Sequence, residues 1–454
     1  MTLFDAHERV HVVGVGGAGM SGVATLVAES GSAVSGCDVA NSPTLTELSH
    51  RGVATAIGHS SGHVDQCEVV LWSPAISDDH PEIAAARARG VRAVSRSTLF
   101  GQLSKIAPLV GLCGTHGKTT ATSMMVHVSL ADGRDDGWLL GAPVLGVGSN
   151  GHWGRGDLIV EVDESFGTFR EVEAAFLGVL NVEPDHLDYY GTVAQLESAF
   201  TDLIERTRGP VVVWGDDPGA VRVGDTSGHE IVTVAQVAKA PWRVSDVELA
   251  RRHSSFTLTG PGESFRISLR VTGAHNVANA AVVATLARLR GIDAPVVATG
   301  LANFLGAPRR YQYRGAWRGI DVYEDYAHLP SEISVTIAAT RAAGYQSVAV
   351  VFQPHRVTRT VALSDELARA LTAADRVVVS DIYRAGEGNP TGVTGEVIVR
   401  ALGRLGFGGR ASYHERLDDV VPSLVSEIGG CDVLLFVGAG DVASVINSLP
   451  GGLE

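Results

Sequence analysis

Short apolar runs alternate with stretches of helical length along most of the chain. Val10–Val13 reads as a strand, Met20–Glu29 as a helix and Ala33–Asp38 as a second strand. The strand–helix–strand rhythm continues with Glu68–Trp72, Pro81–Arg89 and Val91–Val94. A second block opens with the apolar segment Ala107–Cys113, followed by a helix running through Ala121–Val128. It continues with strands at Asp157–Glu161 and Ala175–Leu180. Residues 209–270, rich in Val, Thr and Arg with frequent Gly and Pro, read as short strands of a subsidiary sheet, and an alanine-rich helix runs from Gly273 to about Arg290. A third block begins near Arg314, with strands at Gly319–Tyr323, Ser347–Phe352, Arg376–Asp381 and Asp432–Val437. Strands alternating with helices predict an α/β fold with parallel, doubly wound sheets. Three domains are expected, at 1–105, 106–313 and 314–454.

Two glycine-rich turns lie between a strand and a helix. The first, Gly14-Val-Gly-Gly-Ala-Gly19, precedes a helix, and Asp38 follows nineteen residues after Gly19. This is the dinucleotide-binding fingerprint, in which Gly14, Gly16, Gly17 and Gly19 let a diphosphate approach the helix N-terminus. The second, Gly114-Thr-His-Gly-Lys-Thr-Thr120, is a shortened phosphate loop, because Leu112 stands where the strict pattern has its first glycine. Gly114 takes the tight turn, with Thr115, Gly117 and Thr120 in the cradle. Lys118 is expected to reach the outer phosphates, and the hydroxyl of Thr119 to ligate Mg²⁺. Lys118 is read as supplying charge instead of packing, in a loop of surface backbone.

Ligands of open parallel sheets lie at the carboxyl ends of strands. Glu161, Asp163 and Glu164 end one strand beside the phosphate loop, and Asn181–Asp188, with His186, ends another, so these are candidate metal ligands for a Mg-nucleotide. Asn276 and Asn279, one turn apart, are placed to read a base edge. His355, Arg356 and Arg359 form a basic cluster suited to an anionic substrate or a phosphorylated intermediate.

Composition narrows the partners. The 454-residue chain is 45% hydrophobic and 19% charged, with a net charge of −14, which argues against nucleic acid or an anionic membrane as partner. Four scattered cysteines without a C-x-x-C pair argue against a disulfide framework or a zinc site. The N-terminus has no signal-peptide pattern and no run is long enough to span a bilayer, so a cytoplasmic protein is expected. A nicotinamide-dependent dehydrogenase would account for the first forty residues and leave the phosphate loop and acid clusters unexplained.

The ordered set of motifs resembles the Mur ligases almost end to end. The matching stretches are Gly14–Gly22, Ser73–Ser77, Gly114–Thr120, Asp185–Asp188, His275–Asn279, Arg309–Tyr311, Asp325–His328, Phe352–Arg356 and Tyr383–Glu387. The resemblance implies an N-terminal Rossmann-like domain for a UDP-sugar, a central P-loop ATPase-type domain and a C-terminal Rossmann-like domain. It implies ATP and Mg²⁺ as cofactors and UDP-N-acetylmuramate and a small amino acid, L-alanine by its pattern, as substrates of a monomer or homodimer. The lactyl carboxylate of the sugar would become an acyl phosphate, which the amino group then attacks. By the same resemblance Lys118 sits on the transferring phosphate, Thr119 and Glu161 on one Mg²⁺ and His186 near a second. Asn276 and Asn279 fall at adenine, Arg310 at the phosphates, Asp325 at the ribose, and His355 and Arg356 near the amino acid and acyl phosphate. Phe166 stands where the alanine-adding members carry Asp, Leu329 where they carry a second His, and Glu324 where they carry Asp. These departures leave open a divergent paralogue with another amino acid or acceptor. Members adding later amino acids carry a lysine, carbamylated by CO₂, about fifteen residues after the Asp matching Asp185; here that position is Phe200, expected to pack in the core between Leu196 and Leu203.

Overall fold

The computed structural model describes residues 4, 8–390 and 392–454. The chain forms two compact units: Met1–Val247 with Ser255–Arg270 and His275–Leu305, and Glu248–Ser254 with Val271–Ala274 and Gly306–Glu454.

The first unit holds one sheet whole and most of a second. Strands β1 (Arg9–Val13), β2 (Ala33–Asp38), β3 (Ala54–Ile57), β4 (Val69–Trp72) and β5 (Arg92–Ser95) form a parallel sheet in the order β3-β2-β1-β4-β5. The order reverses at β1, which is followed by the glycine turn and the helix Ala18–Glu29. Strands β6 (Leu109–Cys113), β7 (Gly137–Leu139), β8 (Gly151–His152), β9 (Leu158–Glu161), β10 (Phe176–Val179), β11 (Val211–Trp214), β12 (Ile231–Ala235), β13 (Trp242–Ala250), β14 (His253–Gly260) and β15 (Glu263–Leu269) form the other. Its order is β15-β14-β13-β12-β11-β10-β6-β9-β7-β8. Residues 209–270 therefore do not make a subsidiary sheet of their own. Val234 pairs with Trp242, so β13 extends the central sheet in register, and the helix Pro218–Thr226 lies within this region. That helix has Pro218 at its first turn and Asp217 accepting the Ala220 N–H at 2.7 Å, a start signal that the frequent Gly and Pro had masked.

Parallel pairing of β6 with both β9 and β10 places the ends of these three strands side by side. Cys113, Glu161 and Val179 end them, so the phosphate loop, the first acids and Asn181 emerge at one edge. The helix Lys118–Ala131 that follows the loop buries most of its length, consistent with its lack of a charged face after Lys118. Phe200, in the helix Val193–Arg206, is fully buried and lies 5.2 Å from the Phe169 ring, as its spacing from Leu196 and Leu203 predicts.

In the second unit, β16 (Gln312–Trp317), β17 (Ile320–Asp325), β18 (Val348–Phe352), β19 (Arg376–Ser380), β20 (Ala411–His414) and β21 (Val433–Val437) run in the order β16-β17-β21-β18-β19-β20. Only β16 is antiparallel to its neighbour. The carboxyl ends of β17, β18 and β21 are adjacent and carry Asp325, the segment after Phe352, and Gly438. Among the described residues no helix is long and apolar enough to cross a membrane.

Candidate active site

β6 delivers its loop with two residues in conformations that favour glycine. Gly114 has φ +142° and Gly117 φ +82°. A Cβ on Gly114 would meet the Asn181 backbone oxygen at 2.9 Å, and one on Gly117 the Asn279 side chain at 2.8 Å. The loop is clamped by Asn181, which accepts from the His116 N–H at 2.7 Å and donates to the His116 carbonyl at 3.0 Å. Thr115 donates through Oγ1 to the Glu183 carbonyl and accepts from the Glu183 N–H. Gly114, Thr115 and Thr120 are buried, so the loop is no simple surface turn. It opens onto the N-terminus of a fourteen-residue helix, where backbone N–H groups and the helix dipole favour anions.

Lys118 corrects the expectation that it supplies charge without packing. Its ammonium donates to the carbonyls of Gly114 and Thr115 and to both oxygens of Glu164 at 2.8 Å. Glu164 is 1% exposed. Burial acts to lower the affinity of Lys118 for its proton, but Glu164, Asp163 and Glu161 outweigh it and hold the ammonium charged. The Glu164–Lys118 pair is the central contact of the loop, and spacing alone does not reveal it.

The acids divide between two neighbouring groups. Glu161 accepts from the Thr119 hydroxyl at 3.0 Å and from the Gly141 N–H at 2.8 Å. His186, at φ +51°, places Nε2 3.7 Å from Glu164 and 3.8 Å from Asp185. Glu164, Asp185 and His186 thus present one ligand atom each within 4.8 Å of one another. Asp163 instead receives Arg96 at 3.0 Å and is held below the usual carboxylate range by Lys118 and Arg96 against the effect of burial. Phe166, also at positive φ, is 46% exposed and stacks edge-on with Tyr189. Asn276 and Asn279 are both buried near the start of the helix Ala274–Leu289, and Asn279 lies against the loop.

The N-terminal glycine turn is held from within. Cys37 O accepts from the N–H groups of Gly14 and Val15, and the Asp38 carboxylate accepts from Gly16 at 2.9 Å. Gly17 donates to Gly14 O and starts the helix. Ile76 packs on Gly14, and Arg96 covers Gly19. Asp38, read from sequence as the fingerprint acid, therefore grips the loop itself. A hollow beside it is lined by Gly19, Arg96, Leu139, Gly141, Glu161 and Asp163.

The second unit gathers Arg310, Asp325, His355 and Arg356. Arg310 lies over the Tyr326 ring, Tyr326 meets His328, and His328 meets His355 at 5.6 Å. Arg359 donates to His355 Nδ1 at 3.2 Å, which assigns the ring proton to Nε2. Burial, His328, Arg359 and Arg356 push His355 down to about 4, so it is neutral at pH 7 and not part of a basic cluster. Leu329 starts the helix Pro330–Ala342, where Glu332 accepts from the N–H groups of His328 and Leu329. Glu324 is buried and paired with Arg309 and Arg314.

Asp325 is buried and accepts from the Tyr311 and Ala327 N–H groups at 2.7 Å, while burial raises its carboxyl to about 6. A raised acid contributes stability fully below about pH 4 and loses it as pH rises through about 6. Relative to Asp325→Asn, the protein should lose on the order of 2–3 kcal/mol between pH 4 and 7. Unfolding midpoints of both proteins across that range test this, and parallel curves would refute it.

Three family profiles match the chain: the Mur ligase family catalytic domain at 9–107, the Mur ligase middle domain at 158–287, and the Mur ligase glutamate ligase domain at 309–440. The chain belongs to the Mur ligase family. This Mur ligase is 38% identical to a UDP-N-acetylmuramate–L-alanine ligase of Thermobifida fusca, over 97% of this chain and 96% of that protein. A protein of the same name from Kineococcus radiotolerans is also 38% identical, over 96% and 94% of the two chains. The crystal structure of UDP-N-acetylmuramate–alanine ligase from Thermotoga maritima superposes with a TM-score of 0.81 at 30% identity, covering 97% of each chain. The Mur ligase architecture of three α/β domains with parallel sheets accounts for the three sheets seen here.

Proposed function

We propose that this Mur ligase is an ATP-dependent enzyme joining L-alanine to the lactyl carboxylate of UDP-N-acetylmuramate in peptidoglycan precursor synthesis, in the cytoplasm. The observation that carries this reading is the meeting of Lys118, Thr119, Glu161, Glu164 and His186 at the ends of β6, β9 and β10 in a chain similar along its length to such ligases. Domains of 1–105, 106–313 and 314–454 then bind the UDP-sugar, ATP, and the amino acid with part of the nucleotide.

The lactyl carboxylate takes the terminal phosphoryl group of ATP, giving ADP and an acyl phosphate; the amine attacks the carbonyl carbon and phosphate leaves. Lys118 is placed to neutralise charge on the transferring group, as phosphoryl transfer requires. Gly114, Thr115, Gly117 and Thr120 form the cradle, with Asn276 and Asn279 at the base. Arg310 and Asp325 of the second unit contact phosphate and ribose, while His355 and Arg356 orient the acyl phosphate and amine. Oxygen donors predominate among Thr119, Glu161, Glu164 and Asp185, which fits Mg²⁺, with His186 as the one nitrogen. Bound there, Mg²⁺ would supply charge neutralisation on phosphate oxygens.

Phosphate release with UDP-N-acetylmuramate against each amino acid tests the reading. L-alanine should give the highest kcat/KM; a clear preference for another amino acid would make this a divergent member. With Phe200 in the core, turnover in CO₂-depleted buffer should not rise when bicarbonate is restored. Strong rescue would mean that a carbamylated lysine serves the metal. In calorimetric titration the protein should bind the UDP-sugar and give no comparable heat with NAD, and the reverse would assign the glycine turn to a nicotinamide nucleotide.

A further inference from the structure

Away from the ATP loop, imidazoles and a thiol converge on one carboxylate inside the N-terminal sheet. Glu82, in the helix Pro81–Ala88, is fully buried. Its ionic partners among the described residues are four imidazoles, with no Lys or Arg. A buried carboxylate without a permanently charged partner is costly, and neither a lysine nor an arginine pairs with this one among the described residues.

We propose that His11, Cys37, His63 and Glu82 form a binding site for a zinc-class divalent transition metal. Their ligand atoms all lie within 4.8 Å of one another. Cys37 Sγ is 3.4 Å from His11 Nε2 and 3.1 Å from Glu82 Oε1, and His11 Nε2 is 3.8 Å from the same oxygen. Ligands at zinc distances around one tetrahedral ion lie roughly 3.3–3.8 Å apart, so three edges of the tetrahedron are nearly in place. His63 completes the set from the short turn Ser61–Val64, with Nδ1 2.6 Å from Glu82 Oε1.

The donor set and its surroundings suit such an ion. Thiolate and imidazole select borderline-soft metals over Mg²⁺. One thiolate, one carboxylate and two neutral imidazoles balance a divalent charge, which a site this buried requires. Binding releases the thiol proton of Cys37 to solvent. His11 Nδ1 lies 2.9 Å from Ser35 Oγ, leaving Nε2 free to coordinate, the outer-partner arrangement usual for metal-bound histidine. His59 Nδ1, 3.2 Å from Cys37 Sγ and 3.1 Å from Glu82, backs the cluster. The ligands are far apart in the chain and come from β1, β2, a turn and a helix, so no C-x-x-C pair announces them. The ion would tie these four elements together directly behind the glycine turn, since Cys37 O holds the N–H groups of Gly14 and Val15.

The test uses the full chain, stripped with a chelator and titrated with Co²⁺, then Zn²⁺. About one equivalent of Co²⁺ should give a near-ultraviolet thiolate-to-cobalt band that Zn²⁺ abolishes and excess Mg²⁺ does not. The group Glu164, Asp185 and His186 has no sulfur and cannot produce it. Cys37→Ser should remove the band, and His63→Asn, at a partly exposed position, should weaken Co²⁺ binding with the circular dichroism spectrum unchanged. Ser35→Ala should lower Co²⁺ affinity roughly 10–100-fold. Absence of a stoichiometric band in the native chain, or its survival in a folded Cys37→Ser protein, would overturn the proposal.

Discussion

Replacing Lys118 by alanine should lower turnover on the order of 10²–10³-fold or more, the loss typical when a preorganised charge at the reacting centre is removed. The same change should also cost stability. Glu164 is 1% exposed and has both oxygens on the Lys118 ammonium. Removing one partner of a buried pair costs about 3–5 kcal/mol, because the other group is left buried without its partner. The two effects separate in a second protein. Lys118→Met combined with Glu164→Gln removes both charges, and should recover most of the lost melting temperature while leaving phosphate release as low as in the single variant. Near-native turnover in Lys118→Ala would take the loop lysine out of the chemistry. Recovery of activity in the double variant would show that the single change acted through instability alone.

Arg290→Ala should cost about as much in stability without touching the reacting groups. The Arg290 guanidinium is 1% exposed and donates to Asp136 at 2.8 Å and Asp157 at 2.7 Å. Asp136 is itself buried and also accepts from Ser129 and the Asp157 N–H. Two carboxylates would be left without their cation, so a loss of about 3–5 kcal/mol is expected in denaturant unfolding. Arg290 follows the helix Ala274–Leu289 and fastens that end to the residues flanking β7 and β9. Asn276 and Asn279, proposed above to meet the base, stand near the other end, so on that proposal KM for ATP should rise while kcat changes little. A loss under about 1 kcal/mol would show that solvent replaces the guanidinium.

What the sequence makes legible follows from the range of each force. β2 spans Ala33–Asp38 as read, because an apolar run bounded by turn residues is a local signal. The two glycine turns were legible for the same reason. Sheet membership was not: residues 209–270 read as short strands, but which neighbour each pairs with depends on distant chain. The site shows the same division. Lys118, Glu161 and His186 announce themselves by type and position. The clamp by Asn181 and the pairing of Lys118 with Glu164 join residues from different strand ends, and only folding reveals them. His355 reads as basic beside two arginines, yet burial and those same arginines make it neutral.

With the glycine turn assigned to the UDP-sugar as proposed, the grip of Asp38 on Gly16 bears on how tightly and how quickly that nucleotide is captured. A flexible glycine turn would lose on the order of 1–2 kcal/mol of conformational freedom per residue when a diphosphate settled on it. Here the carboxylate and Cys37 O already fix the turn, so that entropy is lost at folding instead of at encounter. Association then needs no ordering step in this loop, and the affinity of the intact contacts is expressed in full. The heat-capacity change on binding should accordingly be small, set by the apolar surface the ligand covers and not by a loop folding around it.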